Sequence, residues 1–145
     1  MPVMEEALCG YILTRSAVTS LIGSGDSARL FPIALDQDVD LVNGPAATYE
    51  IVTSEDVQTL ADRAGIVQSR VRITAFANTH SGATSLARAI KNSGVVTLKG
   101  VIAGVDFRGV VIQEGINCYA EQPTDGGKTW RYIADFDLMI SYLEG

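Results

Sequence analysis

Residues 66–93 constrain the fold more than any other part of the chain, because two hydrophobic periodicities meet inside this stretch. Its first half alternates apolar and polar residues, which is typical of a strand with one buried face and one solvated face. The apolar positions of this strand are Val67, Val71, Ile73, Ala75 and Ala77. The second half repeats apolar residues at the spacing of a short amphipathic helix, at Ala83, Leu86, Ala87 and Ile90. The stretch therefore predicts a strand leading directly into a helix that Thr79 or Ser81 caps and Gly94 ends.

The rest of the chain adds helices and strands on both sides of this unit. Helical patterns occur at residues 5–13 and again from Ser16. Extended patterns occur at residues 28–32, 47–53, 105–119 and 130–142, and polar or turn-rich connectors occur at 36–45, 56–65 and 121–128. This order predicts one α+β domain, residues 1–145, in which an antiparallel sheet of about four strands carries two main helices packed on one face.

Composition and charge exclude several classes of protein. The chain has 145 residues, of which 47% are apolar and 19% charged, so it has enough apolar area to fold around a core. Its net charge of −6 disfavours tight binding to the phosphate backbone of nucleic acids. The apolar runs are too short for a membrane span and the N-terminus lacks the basic start of a secretory signal, which favours a soluble intracellular chain. Cys9 and Cys118 show no metal-ligand spacing and predict two free, buried thiols in a reducing compartment.

Four short motifs follow one another along the chain. They are the step Arg29-Leu30-Phe31-Pro32, the strand start Pro45-Ala46-Ala47-Thr48-Tyr49, the helix Thr84-Ser85-Leu86-Ala87-Arg88-Ala89-Ile90 that follows a strand of alternating valine and arginine, and the final strand Tyr132-Ile133-Ala134-Asp135-Phe136-Asp137-Leu138. With these motifs in this order, the chain resembles the tail-completion or tail-terminator proteins of long-tailed phages and related prophages over nearly its whole length.

The resemblance implies a structural virion protein and not an enzyme. Members of this family form a ring, usually a hexamer, that caps the finished tail tube, ends its growth and joins it to the head. The implied partners are further copies of the chain, the tail tube protein and the head–tail connector protein, with DNA passing through without tight binding and with no membrane involved. The implied location is the head–tail junction of the virion, reached from the host cytoplasm, and no catalytic residue, cofactor or metal is implied.

Sheet edges and loops are the expected contact surfaces of such a ring. The candidate contact residues between subunits, or between a subunit and the tube, are Arg29, Phe31, Asp36, Asp38, Asp40, Asp125 and Lys128.

A string of three aspartates, Asp36, Asp38 and Asp40, can suggest calcium. A hand-like calcium loop needs Gly at its sixth position and Glu at its twelfth, and these positions hold Leu41 and Ala47. We therefore interpret the string as a solvated acidic loop that contacts a neighbouring subunit.

A second acidic set supplies the alternative function, a metal-dependent hydrolase that uses Asp135, Asp137 and Glu114. No Lys or His base accompanies the two aspartates, so the favoured interpretation places them on the solvated face of the last strand, where Asp137→Ala should cost little. A monomeric binding module of similar fold is a third possibility, because fold alone does not settle function.

Arg70 and Arg72 are too few to form a nucleic-acid stripe. If their strand lies beside the last strand, they are expected to pair with Asp135 and Asp137.

Overall fold

One mixed sheet with three helices packed against one of its faces makes up the described part of the protein. The computed structural model describes residues 4–23, 28–32, 44–58, 63–93, 95, 98–121 and 131–143. The helices are α1 (Met4–Ile12), α2 (Ser16–Ile22) and α3 (His80–Lys91). The strands are β1 (Leu30–Pro32), β2 (Ala46–Gln58), β3 (Arg63–Ala77), β4 (Gly100–Ile102), β5 (Val105–Glu121) and β6 (Arg131–Leu143).

The predicted sheet of about four antiparallel strands with two main helices is wrong. Six strands of the described residues lie in the order β1-β2-β3-β6-β5-β4, and β1 runs parallel to β2, so the sheet is mixed. The extended pattern at 28–32 does contain β1, but this three-residue strand alternates too little to be assigned to the sheet from sequence, and the three residues of β4 carry no recognisable period of two. In addition, β2 and β3 extend into the predicted connector 56–65, since Asp56 pairs with Val67 and Gln58 pairs with Arg63.

The passage from β3 into α3 confirms the prediction for residues 66–93 in most respects. The Thr79 hydroxyl accepts a hydrogen bond of 3.0 Å from the Gly82 backbone amide and so caps the start of α3. The apolar stripe of Ala83, Leu86, Ala87 and Ile90 is buried. The predicted end at Gly94 lies outside the described residues, and the last turn closes with the Asn92 amide bonded to the Arg88 carbonyl.

Close packing at the start of α3 requires a glycine. A Cβ on Gly82 would lie 2.9 Å from the Thr79 hydroxyl and 3.0 Å from the Cβ of Ala77, which is closer than side chains approach one another. Small residues also line the sheet beneath the helices, where Ala75 pairs with Ala47 on one side and Ala134 on the other. These residues let the helix layer approach the sheet closely, and the core fills the space between them.

The core depends on the pairing of β3 with β6 at the centre of the sheet. Ile73 lies opposite Phe136 and Val71 lies opposite Leu138, and all four side chains are buried beneath the helices. Phe136 therefore faces the core, as the alternation of the last strand predicts.

Truncation of Phe136 should destabilise the domain strongly. Phe136→Ala removes one of the largest fully buried side chains and should lower the free energy of unfolding by about 3–5 kcal/mol. Val101→Ala is the control, because Val101 is 70% exposed and its loss should change the value by less than about 0.5 kcal/mol. Urea titration measures both, and similar midpoints for the two variants would show that Phe136 does not belong to the core.

Candidate functional site

The face of the sheet opposite the helices, which we call the second face, carries side chains in ordered rows. The strand registers align one apolar row, consisting of Ala46, Phe76, Ile133 and Tyr119. The next row is polar and consists of Thr48, Thr74, Asp135 and Asn117. The third row consists of four residues of charged types, Glu50, Arg72, Asp137 and Glu114. The second face is therefore neither a plain solvated surface nor a continuous apolar one.

A carboxylate held by two guanidinium groups forms the centre of this face. Asp137 accepts hydrogen bonds from Arg72 Nε at 2.9 Å and from Arg70 Nε at 2.7 Å. A further guanidinium nitrogen of Arg70 lies 2.6 Å from the same carboxylate. The aspartate side chain is only 2% exposed, whereas the two arginine side chains are 30% and 38% exposed, so the arginines cover the aspartate.

The local sequence produces this cluster directly. Alternation along β3 places Arg70 and Arg72 on the same face, two residues apart, while Val71 points into the core. The register of β3 and β6 then sets Asp137 opposite Arg72. The expected pairing of these arginines with the aspartates of β6 is confirmed for Asp137.

The electrostatic balance favours the charged form of both partners. Burial alone would raise the pKa of Asp137, but the hydrogen bonds from Arg72 and Arg70 outweigh it, and the pKa is lowered from 3.8. The same hydrogen bond to Asp137 raises the pKa of Arg72. The cluster is thus an ion pair network at neutral pH.

This geometry corrects the interpretation of Asp137 as a solvated residue. The register does bring Asp135, Asp137 and Glu114 to one face, as the hydrolase alternative requires. However, both carboxylate oxygens of Asp137 already bind arginine, and the Asp135 carboxylate accepts a 3.3 Å hydrogen bond from the Tyr119 hydroxyl. Within the described ranges, no group of three or more His, Cys, Asp or Glu side chains is arranged to hold a metal ion.

The predicted contact residues fall at one edge of the sheet where the structure describes them. Arg29 precedes β1 and Phe31 lies within it, and both side chains are half-buried. The Arg29 backbone donates to the Ile22 carbonyl at 2.8 Å and accepts from the Ala47 amide at 2.8 Å, so it joins α2 to β2. The other predicted contact residues, Asp36, Asp38, Asp40, Asp125 and Lys128, lie outside the described residues, and their role stays a prediction.

Sequence reasoning missed exposed apolar side chains on β5. Val111 is 62% exposed and Tyr119 is 52% exposed, and both lie on the second face. A signal was present in the doublet Val110-Val111, because a strand with one buried face must turn one of two consecutive valines outward. Irregular register between Phe107 and Gly109, and again beyond Ile112, obscures the alternation in this strand.

The two cysteines are free, as predicted, but they are less buried than expected. Cys9 is half-buried and Cys118 is exposed. Burial, together with the nearby carboxylates Glu5 and Glu6, raises the pKa of the Cys9 thiol to about 12, against the effect of its hydrogen bond with Tyr49. The Cys9 thiol is therefore not placed like an activated nucleophile.

Among the helices that the structure describes, none is long and apolar enough to span a membrane.

Comparison with known proteins gives a likeness of fold but not of sequence. No family model and no curated protein matches the chain. A chain in the solved virion of a native gene transfer agent particle has a similar fold, with a TM-score of 0.61. The two sequences are 11% identical, and the likeness covers 97% of this chain and 95% of that chain. At this identity, the likeness shows a shared fold over nearly the full length of both chains.

Removal of the charge on Asp137 should destabilise the domain. Asp137→Asn keeps the shape of the side chain but leaves Arg70 and Arg72 without their carboxylate, which should cost about 1–3 kcal/mol of unfolding free energy. Asp135→Asn is the matched control on the same strand and face and should cost less than about 1 kcal/mol. Equal losses in urea titrations of the two variants would contradict a special role for Asp137.

The Asp137 network should also make stability depend on pH. Because its pKa is lower in the folded protein than the ordinary 3.8, its contribution is complete above that value and is lost as pH falls through the folded value. The difference in unfolding free energy between wild type and D137N should therefore be largest near neutral pH and shrink below about pH 4. A difference that stays constant from neutral to strongly acidic pH would exclude this linkage.

Proposed function

We propose that the protein is a structural subunit of a virion. The observation that carries this proposal is the fold shared, over nearly the full length of both chains, with a chain of a gene transfer agent virion. The order of sequence motifs, which resembles the phage tail-terminator family, supports the same class independently of the fold. The ion pairs of Asp137 support a structural role rather than catalysis, because they occupy the carboxylate that a metal-dependent hydrolase would need.

Within that class, we propose a tail terminator that closes into a ring, usually a hexamer in this family, on the last ring of tail tube protein. One rim stops tube growth and the other binds the head–tail connector protein, while DNA passes through without tight binding. The shape of the subunit supports this arrangement. β2 ends and β3 begins at one end of the sheet, whereas β5 ends and β6 begins at the other end. Each subunit therefore has two distinct ends, and we assign one to each rim of the ring.

Deletion of the gene in the parent phage or prophage tests the proposal. We expect filled heads and tails that remain unjoined, with tails of abnormal length, because nothing ends tube growth or joins the tube to the head. Electron microscopy of lysates measures both effects, and expression of the intact gene in trans should restore joined particles.

Normal infectious particles from the deletion strain would show that the proposal is wrong. Purified chain added to isolated tail tubes should also form a cap at one tube end. A chain that remains a monomer and never binds the tube end would instead favour a monomeric binding module of the same fold.

A further inference from the structure

The charges of this chain are strongly segregated along the sequence. Residues 63–105 contain six of the eleven basic residues and none of the seventeen acidic residues. Residues 1–62 contain ten acidic residues and only two basic ones. Two of the six cations, Arg70 and Arg72, are matched by Asp137 inside the fold. Three of the remaining cations, Arg88, Lys91 and Lys99, lie on or after α3 and have no such partner among the described residues.

These three residues form a basic strip near the β4 edge of the sheet. Thr84 on α3 lies 3.5 Å from the Cys118 thiol on β5, which identifies the side of the helix that faces β5. Arg88 and Lys91 follow Thr84 by four and seven residues, so they lie on that same side. Lys99 immediately precedes β4, the strand at this edge. In the described residues, none of the three side chains forms an ion pair.

An acidic counterpart lies near the opposite edge. Glu5 and Glu6 stand in the first turn of α1, and the structure shows no ion pair for either within the described residues. Glu5 precedes Cys9 by four residues, and the Cys9 thiol is hydrogen-bonded to Tyr49 on β2, beside the edge strand β1. The other side of α1 faces α3, since the Tyr11 hydroxyl donates a 3.4 Å hydrogen bond to the Ser93 carbonyl. The acidic start of α1 therefore lies on the side of this helix toward Tyr49, whereas the Tyr11 side contacts the end of α3.

We propose that the basic strip of one copy docks on the acidic start of α1 in a second copy. This inference rests on the proposed ring and names the surfaces that would join its subunits. Because the two surfaces lie near opposite edges of the sheet, each copy can bind one neighbour through each, which is the head-to-tail contact that closes into a ring. Val101 is 70% exposed on the β4 edge strand and adds apolar surface at the same edge of the sheet, on the second face.

A second copy is a better occupant of the strip than nucleic acid. Three cations on a chain of net charge −6 attract a phosphate backbone weakly, and the rest of the molecule repels it. A second copy instead offers two adjacent carboxylates, Glu5 and Glu6, in the first turn of α1, whose charge is opposite to that of the strip.

Paired charge reversal tests the contact. In R88E/K91E the reversed, acidic strip would face the acidic start of α1 of a neighbour, and in E5K/E6K the reversed, basic start of α1 would face the neighbour's basic strip. Because like charges then meet, each variant alone should self-associate at least about tenfold more weakly than wild type. An equal mixture of the two variants should recover assembly, because every contact in an alternating ring is again complementary. Sedimentation velocity at about 20 mM salt, where screening is weak, measures all samples with and without tail tubes.

The matched control is R15E, compared with R88E alone. Arg15 is an exposed cation in the turn between α1 and α2, where it lies over the Tyr11 ring and belongs to neither α3 nor the β4 edge. R15E makes the same change in net charge as R88E and should leave self-association unchanged. Melting temperatures of all variants should stay close to that of wild type, since Glu6, Arg15 and Arg88 are exposed, and Glu5 and Lys91 are half-buried rather than part of the core.

The outcomes separate this inference from the proposed function. A wild-type chain that stays monomeric even with tail tubes overturns the ring and the contact together. A wild-type chain that assembles, with reversal variants that assemble equally well or a mixture that fails to recover, overturns the contact and leaves the ring standing. Binding of a short DNA duplex that is lost in R88E/K91E would assign the strip to nucleic acid and would also overturn the contact.

Discussion

The register between β3 and β6 is the constraint on which the rest of the structure depends. Along these paired strands, Ile73 opposite Phe136 faces the core, and the next pair, Arg72 opposite Asp137, faces the other way. A slip of one residue would turn an aspartate into the helix layer and a phenylalanine toward the arginines. Both errors bury a group in the wrong environment, so the hydrophobic pair and the ion pair select the same register from opposite faces of the sheet.

The other strands build outward from this central pair. Two long hairpins, β2–β3 and β5–β6, meet where β3 pairs with β6, and the short strands β1 and β4 complete the edges. The net stabilisation from the charged cluster is reduced, because burying Asp137 costs desolvation free energy that its hydrogen bonds must first offset. The apolar contacts beneath the helices supply most of the stabilisation, as is general for domains of this size.

The parts of the fold that could be predicted from the sequence are the segments in which apolar residues repeat with a single period, either that of a strand or that of a helix. Val67 to Ala77 and the stripe from Ala83 to Ile90 each follow a single period, and both were found in the predicted state. The three-residue edge strands contain less than two periods, so their existence depends on neighbours that are distant in sequence. The burial of Asp137 could not be predicted for the same reason. Alternation along β6 correctly places Asp137 on the face opposite the core, but the arginines that cover it belong to another strand. The contact residues in loops followed from resemblance alone and had no periodic signal to support them.

One physical distinction connects the core of this protein to its proposed assembly. The described cations of the segment 63–105 lie in two environments. Arg70 and Arg72 are paired with Asp137, whereas Arg88 and Lys99 are exposed and Lys91 is half-buried, with no ion pair for these three among the described residues. If all of them were paired internally, the surface of an acidic chain would repel every other copy. By matching two cations inside the fold and leaving three near one edge, the sequence supplies the basic side of the contact that we propose between neighbouring copies. Under the proposed function, such a contact would be weak for an isolated pair of subunits and would become effective when a tail tube holds several copies side by side at high effective concentration.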